Sequence, residues 1–89
     1  MNIEIYSKSS CGFCVKAKTL LKSKSIEFKE FIVQDFTNKH MDLEDNQTWI
    51  TREDLLEQFP NARTVPQIKI DGKAIGGFEG LVEYLNNGN

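Results

Sequence analysis

Two cysteines are the side chains best suited to chemistry, and they stand together in the run Cys11-Gly12-Phe13-Cys14. Residues three positions apart lie on one face of the first turn of a helix, so the two sulfurs can bond without bending the backbone. The N-terminus of a helix also presents unpaired N–H groups and a partial positive charge, which favour a thiolate over a thiol. Because a disulfide across so short a loop adds little stability, the spacing predicts a reactive dithiol.

Position along the helix predicts a different role for each cysteine. Cys11 lies nearer the exposed entry of the helix and is the expected nucleophile. A helix terminus lowers a thiol pKa by about one unit, so a larger decrease requires hydrogen bonds to the thiolate or the charge of Lys8. Cys14 is the expected resolving thiol, and it also falls on the apolar face of the helix as a small core residue.

Zinc binding is the alternative function for a pair of cysteines. A zinc site needs four protein ligands, or three and a water. His40 is the only histidine and there is no third cysteine, so we predict no metal site within one chain.

Composition and charge narrow the class of protein. The chain has 89 residues, of which 27% are charged, and a net charge of −2. We therefore expect one domain, residues 1–89, with a modest core and no basic surface for nucleic acid. No apolar leader and no segment long enough to span a membrane is found, so we expect a cytoplasmic monomer. Disulfides in that compartment are usually transient and catalytic.

Hydrophobic periodicity predicts a strand, a helix and a second strand in the first half of the chain. Ile3 and Ile5 alternate with Glu4, as in a strand. Phe31-Ile32-Val33 indicates a buried strand, and the polar, acidic residues 37–49 indicate a loop. Between the strands, apolar residues follow helical spacing and lysines point outward; the two sets are Cys14, Ala17, Leu20 and Leu21, and Lys16, Lys18 and Lys22.

Capping and turn signals predict the elements in the second half of the chain. Thr51 and Asp54 form a capping box that starts a helix, and Pro60 marks its end. Asp71-Gly72 between two β-rich runs predicts a hairpin with a two-residue turn, and a last helix follows it. The predicted order is β-α-β-α-β-β-α, an α/β fold in which a four-stranded mixed sheet is flanked by helices on both faces.

With these elements assigned, the chain resembles a glutaredoxin with a C-G-F-C active site, a small member of the thioredoxin fold. The likeness covers nearly the whole chain. A C-x-x-C motif followed about fifty residues later by T-V-P, and then by a double glycine at the start of a helix, is highly specific for that family. Four blocks carry the resemblance: Tyr6 to Cys14, Ile50 to Leu55, Thr64 to Gln67, and Ile75 to Glu79.

The resemblance implies a groove that binds glutathione as a co-substrate. It also implies that the Val65–Pro66 bond is cis, although most X–Pro bonds are trans. Three residues depart from many relatives. Gly12 and Phe13 stand where many relatives have proline and tyrosine, and Gly80 follows Glu79 where a side chain often contacts the γ-glutamyl amine. The implied glutathione-binding residues are Lys8, Phe13, Arg63, Thr64, Val65, Pro66, Gly76, Gly77, Phe78 and Glu79.

The function implied is glutathione-dependent reduction of glutathione mixed disulfides and protein disulfides through the Cys11/Cys14 dithiol. Family analogy offers a ribonucleotide reductase as an electron acceptor, and no residue identifies it. One alternative is a carrier of a [2Fe–2S] cluster, held between two chains by Cys11 and glutathione. A second is a glutathione- or partner-binding module with little turnover.

Overall fold

Five strands and three helices follow one another along residues 1–35 and 41–87, the part of the chain that the computed structural model describes. They occur in the predicted order, with one additional strand. The elements are β1 (Ile3–Ser7), α1 (Gly12–Ser23), β2 (Lys29–Val33), β3 (Gln47–Ile50), α2 (Arg52–Gln58), β4 (Gln67–Ile70), β5 (Lys73–Gly76) and α3 (Phe78–Asn86).

The strands form one mixed sheet in the order β3-β2-β1-β4-β5. The first three strands run parallel, and β4 and β5 are antiparallel to their neighbours. The α/β class and the mixed sheet agree with the prediction. No helix within residues 1–35 and 41–87 is long and apolar enough to cross a membrane.

The prediction of four strands is wrong, because Gln47–Ile50 is a strand and not the end of a loop. This strand pairs with β2 in parallel, with Thr48 beside Phe31 and Trp49 beside Ile32. It lies at the edge of the sheet and shows no alternation of buried and exposed residues, so its sequence lacks the usual signal. Residues 37–40 of the predicted loop, including His40, lie outside the described residues.

The two faces of the sheet bury different groups. Ile5 and Tyr6 are adjacent in β1 and therefore point to opposite faces. Ile5 belongs to the main core, which packs α1 and α3 against one face. On the other face Tyr6 stacks on Phe31 at 4.9 Å between ring centroids and meets the edge of Phe59 at 5.0 Å. Phe59 directly follows α2, so helices flank the sheet on both sides.

The predicted cap and turn are present. The N–H of Asp54 donates to Thr51 Oγ1 at 3.0 Å, and the N–H of Thr51 donates to Asp54 Oδ2 at 3.1 Å. The hairpin residues Asp71 and Gly72 have φ angles of 52° and 83°, which a type I′ turn requires. The capping box begins α2, and the hairpin joins β4 to β5. The segment before β4, residues 59–66, connects α2 to β4.

Gly80 allows α3 to lie against β5. A Cβ at this position would overlap the backbone carbonyl of Ile75. We expect Gly80→Ala to destabilise the protein by about 2 kcal/mol, because overpacking against backbone outweighs the ~1 kcal/mol gain in helix propensity. Urea denaturation of the reduced protein measures the difference. Gly12→Ala is the matched control, since a Cβ at Gly12 meets no described neighbour within 4 Å. Equal stabilities for the two variants would contradict the prediction.

Candidate active site

Cys11 and Cys14 form a disulfide at the N-terminus of α1. Their Cα atoms are 5.3 Å apart, an ordinary separation for a disulfide. Cys11 is the N-cap, and the N–H of Cys14 donates to Cys11 Sγ at 3.2 Å. Cys14 is buried, with 2% of its surface exposed, whereas Cys11 is partly exposed. An incoming reagent therefore reaches the sulfur of Cys11 first.

The segment before β4 lies against the reactive sulfur. The carbonyl oxygen of Val65 is 3.5 Å from Cys11 Sγ. The Val65–Pro66 bond is cis, as the resemblance implies. Pairing of Tyr6 in β1 with Gln67 in β4 holds this segment beside the start of α1.

One groove, of about 380 Å³, runs between Phe13, the segment before β4 and the start of α3. Phe13 is 56% exposed, and its ring lies 6.1 Å from the Phe78 ring, measured between centroids. Gly77 is the N-cap of α3, and a Cβ there would lie 3.2 Å from the carbonyl oxygen of Pro66. All residues lining this groove belong to the predicted set: Phe13, Thr64, Val65, Pro66, Gly77, Phe78 and Glu79.

A second groove of about 380 Å³ adjoins the first, because Thr64 and Val65 line both. Three cations line the second groove, namely Lys8, Arg63 and Arg52, together with the carboxylate of Asp35. Arg52 was predicted to be a solvated surface residue, so its position in this groove was not predicted. Arg52 is the first residue of α2, and only the packing of α2 beside the segment before β4 brings it to the groove.

The two grooves contain every predicted glutathione-binding residue except Gly76. Gly76 ends β5 with a φ of 96°, a left-handed conformation that favours glycine. It lines neither groove, and it lies where the chain turns from β5 towards the N-terminus of α3. The structure therefore gathers residues from four distant parts of the chain around one disulfide.

A buried ionic cluster lies behind the disulfide, and the sequence did not predict it. Glu30 is 2% exposed and accepts hydrogen bonds from Ser7 Oγ at 2.6 Å and Gln47 Nε2 at 2.8 Å. Lys18 Nζ forms an ion pair with it at 3.0 Å. Burial raises the pKa of Glu30, but these hydrogen bonds and the charge of Lys18 outweigh burial, so its pKa falls below the ordinary value. The cluster is therefore ionised at neutral pH.

The prediction that Lys18 points outward is wrong. Only 25% of its side chain is exposed. Lys18 has the same sequence pattern as the other lysines of α1. Its environment differs from theirs because β2 places the buried carboxylate of Glu30 beneath it. A lone acidic residue in an apolar strand is the signal that could have identified the cluster.

Comparisons with known proteins agree on one family. The family model described as Glutaredoxin matches residues 3–75. Glutaredoxin 3 of Escherichia coli strain K12 is 36% identical over 90% of this chain and 81% of that protein. Glutaredoxin 1 of Rickettsia conorii is 31% identical over 97% of this chain and 74% of that protein.

Solved structures give the same answer for the fold. Glutaredoxin 1 from Francisella tularensis, complexed with cacodylate, superposes with a TM-score of 0.71 at 27% identity, covering 97% of this chain and 93% of that one. A buckwheat glutaredoxin–glutathione complex superposes with a TM-score of 0.67 at 25% identity, covering 97% and 69%. The thioredoxin-like class of the sheet and helices is thereby confirmed.

Proposed function

This chain belongs to the glutaredoxin family of thiol–disulfide oxidoreductases, and on that premise we propose that it reduces glutathione mixed disulfides and protein disulfides with glutathione as co-substrate. The observation that carries the proposal is the pair of adjoining grooves beside the Cys11–Cys14 disulfide. A buckwheat relative of known structure in complex with glutathione supports it.

The charges and hydrogen-bonding groups of the two grooves suit a tripeptide with a carboxylate at each end. Lys8, Arg63 and Arg52 supply positive charge for the glycyl carboxylate at one end. The N-terminus of α3 presents backbone N–H groups to the γ-glutamyl carboxylate at the other. Between them the backbone of Val65 can pair with the cysteinyl residue, as one rung of a β-ladder. This arrangement would bring the glutathione sulfur to Cys11 Sγ.

The chemistry proceeds by two thiol–disulfide exchanges. The Cys11 thiolate attacks the glutathione sulfur of a mixed disulfide, a new disulfide forms, and the substrate leaves as a thiolate. A second glutathione thiolate then attacks the sulfur of the bound glutathione, which releases oxidised glutathione and restores Cys11. With a protein disulfide, Cys14 resolves the intermediate and the Cys11–Cys14 disulfide forms. The N–H of Cys14, 3.2 Å from Cys11 Sγ, stabilises the thiolate.

A coupled assay on the purified protein tests this function. NADPH oxidation is followed with a glutathionylated substrate, first with glutathione and glutathione reductase and then with thioredoxin reductase alone. We expect turnover with the glutathione system. Turnover with thioredoxin reductase only would overturn the glutathione dependence, and bound glutathione without turnover would favour the binding module.

Lys8 is expected to act on both the glutathione carboxylate and the Cys11 thiolate. We predict that Lys8→Ala raises the KM for the glutathione mixed disulfide by roughly two- to tenfold and raises the pKa of Cys11, an effect limited by solvent screening. Steady-state kinetics and titration of thiolate absorbance measure the two changes. Lys22→Ala, in the last turn of α1, is the control and should change neither. Superimposable titrations of the parent and Lys8→Ala proteins would remove Lys8 from the mechanism.

A second candidate function is the [2Fe–2S] carrier, and the open space at Gly12 favours it. A Cβ at Gly12 would meet no other part of the chain that the structure describes within 4 Å, which leaves room for a second chain beside Cys11. Cys11 from each chain and glutathione would be the ligands, in competition with the Cys11–Cys14 disulfide. We expect reduced protein, incubated anaerobically with glutathione, iron and sulfide, to become coloured and dimeric, and Gly12→Pro to suppress both changes while disulfide reductase activity persists. An unmodified protein that stays colourless and monomeric would exclude the carrier.

A further inference from the structure

A cavity of about 540 Å³ behind the disulfide joins Cys14 to the buried ionic cluster. Its lining includes Cys11 and Cys14 from the start of α1, Lys18 from the next turn, and Glu30 from β2. Of the residues that the structure describes, it shares only Lys8 with the two grooves proposed for glutathione. Because glutathione would occupy the other side of Cys11, the mechanism described above makes no use of this cavity.

Helix geometry brings Lys18 close to Cys14. The two residues are four positions apart on α1, and side chains at that spacing are neighbours, with Cβ atoms about 5–6 Å apart. The ammonium group of Lys18 forms an ion pair with the buried carboxylate of Glu30 at 3.0 Å, which fixes its position. Glu30 is itself fixed by Ser7 and Gln47. A positive charge is thus held beside the resolving cysteine.

Cys14 needs such a charge when it reacts. Burial disfavours the charged form of a thiol, yet only the thiolate attacks a disulfide. Within residues 1–35 and 41–87, the titratable groups that line the cavity beside Cys14 are Lys8, Lys18, Glu30 and Cys11. Cys11 is uncharged while it holds a substrate in a mixed disulfide, and the negative charge of Glu30 is spread over three hydrogen-bond donors. Lys18 is then the nearest cation to Cys14 on the same helix face.

We propose that Lys18, positioned by Glu30, stabilises the thiolate of Cys14 and so sets the rate at which a protein mixed disulfide on Cys11 is resolved. This inference rests on the proposed dithiol mechanism. In that step Cys14 releases its proton to solvent, and its sulfur bonds to Cys11 Sγ. The bond from Cys11 to the substrate sulfur breaks, and the substrate leaves with the electron pair and takes a proton from solvent. The dithiol is oxidised and the substrate sulfur is reduced.

Titration of Cys14 in the Cys11→Ser protein tests the charge effect directly. Serine is neutral, as Cys11 is in a mixed disulfide, and Cys14 is then the only thiol. We expect Lys18→Gln to raise the pKa of Cys14 by about one unit, since glutamine keeps a hydrogen-bond donor for Glu30 but has no charge. Lys18→Arg should retain the parent pKa, and Lys22→Gln is the control on the exposed part of α1. A Lys18→Gln titration that superimposes on the parent curve, or an equal shift in Lys22→Gln, overturns the proposal.

Rapid-mixing kinetics on the protein with both cysteines give the second readout. One pKa unit reduces the thiolate fraction about tenfold, and the greater reactivity of the more basic thiolate recovers about threefold, so resolution should slow by about threefold. Reduction of a glutathione mixed disulfide by Cys14→Ser protein should not respond to Lys18→Gln.

Should Lys18→Gln fail to fold, Lys18→Met serves as the second neutral variant. The titration needs neither glutathione nor turnover, so its failure is distinct from failure of the proposed function.

Discussion

We expect the Cys11→Ser protein to lose disulfide reductase activity by at least about a thousandfold, the scale of loss when an enzyme nucleophile is removed. Cys14→Ser should keep the reduction of glutathione mixed disulfides and lose most reduction of protein disulfides. The reason is position: Cys11 caps α1 at the surface beside the carbonyl of Val65, whereas Cys14 is buried behind it. Only a second thiol in the same molecule can resolve a protein mixed disulfide internally.

Two substrates separate the roles of the cysteines. A glutathionylated peptide requires one thiol, and a protein disulfide requires two, so the ratio of the two activities identifies the resolving residue. Matched circular dichroism spectra of the parent and both serine variants control for folding. If Cys14→Ser were the inactive variant toward the glutathionylated peptide, the assignment of nucleophile and resolving thiol would be reversed.

The second large effect concerns stability. We expect Glu30→Ala to lower the free energy of unfolding at pH 7 by about 3 kcal/mol, because it leaves Lys18 without its counter-ion and buried Ser7 without an acceptor. This value is at the lower end of the destabilisation expected when a buried ion pair loses one partner, because a quarter of the Lys18 side chain is exposed. Urea denaturation measures the change. Glu27→Ala, at an exposed glutamate nearby, should change stability by no more than about 0.5 kcal/mol.

The same cluster predicts a dependence on pH. The pKa of Glu30 in the folded protein is below its ordinary value of 4.5. Ionised Glu30 therefore contributes stability that is complete above about pH 4.5 and is lost as the pH falls through the folded pKa. The stability difference between the parent and Glu30→Gln proteins should be constant above that value and change progressively below it. A difference that is the same at pH 3 and pH 7 would rule out ionisation of Glu30 as its source.

Features that depend on neighbouring residues were predicted from the sequence. The capping box of Thr51 and Asp54, the turn at Asp71-Gly72 and the placement of the cysteine pair each follow from the local needs of backbone N–H groups or positive φ angles. The residues of the two grooves were predicted from the family resemblance. The local sequence of the segment before β4 and of the start of α3 does not by itself identify a binding site.

Features that depend on contacts between different helices and strands were not predicted. Strand β3 exists because β2 offers it a backbone edge, and its own residues do not alternate. Lys18 has the pattern of a solvated lysine until β2 brings Glu30 beneath it. Gly80 was interpreted only as a lost contact to glutathione, whereas the close approach of Ile75 gives it a packing role. In each case the deciding partner belongs to a different helix or strand, and only packing between elements brings it close.

Cys11 has two roles, one chemical and one structural. Its sulfur is both the expected nucleophile and the acceptor that caps the helix bearing Cys14. Alkylating reagents aimed at this thiol therefore also change a helix cap, worth about 1 kcal/mol in ordinary caps. For trapping substrates or for crystallography, serine is the better inert replacement than alanine, because its hydroxyl preserves the cap. Loss of stability after alkylation would accordingly report on the helix terminus and should not be read as evidence that the fold depends on its disulfide.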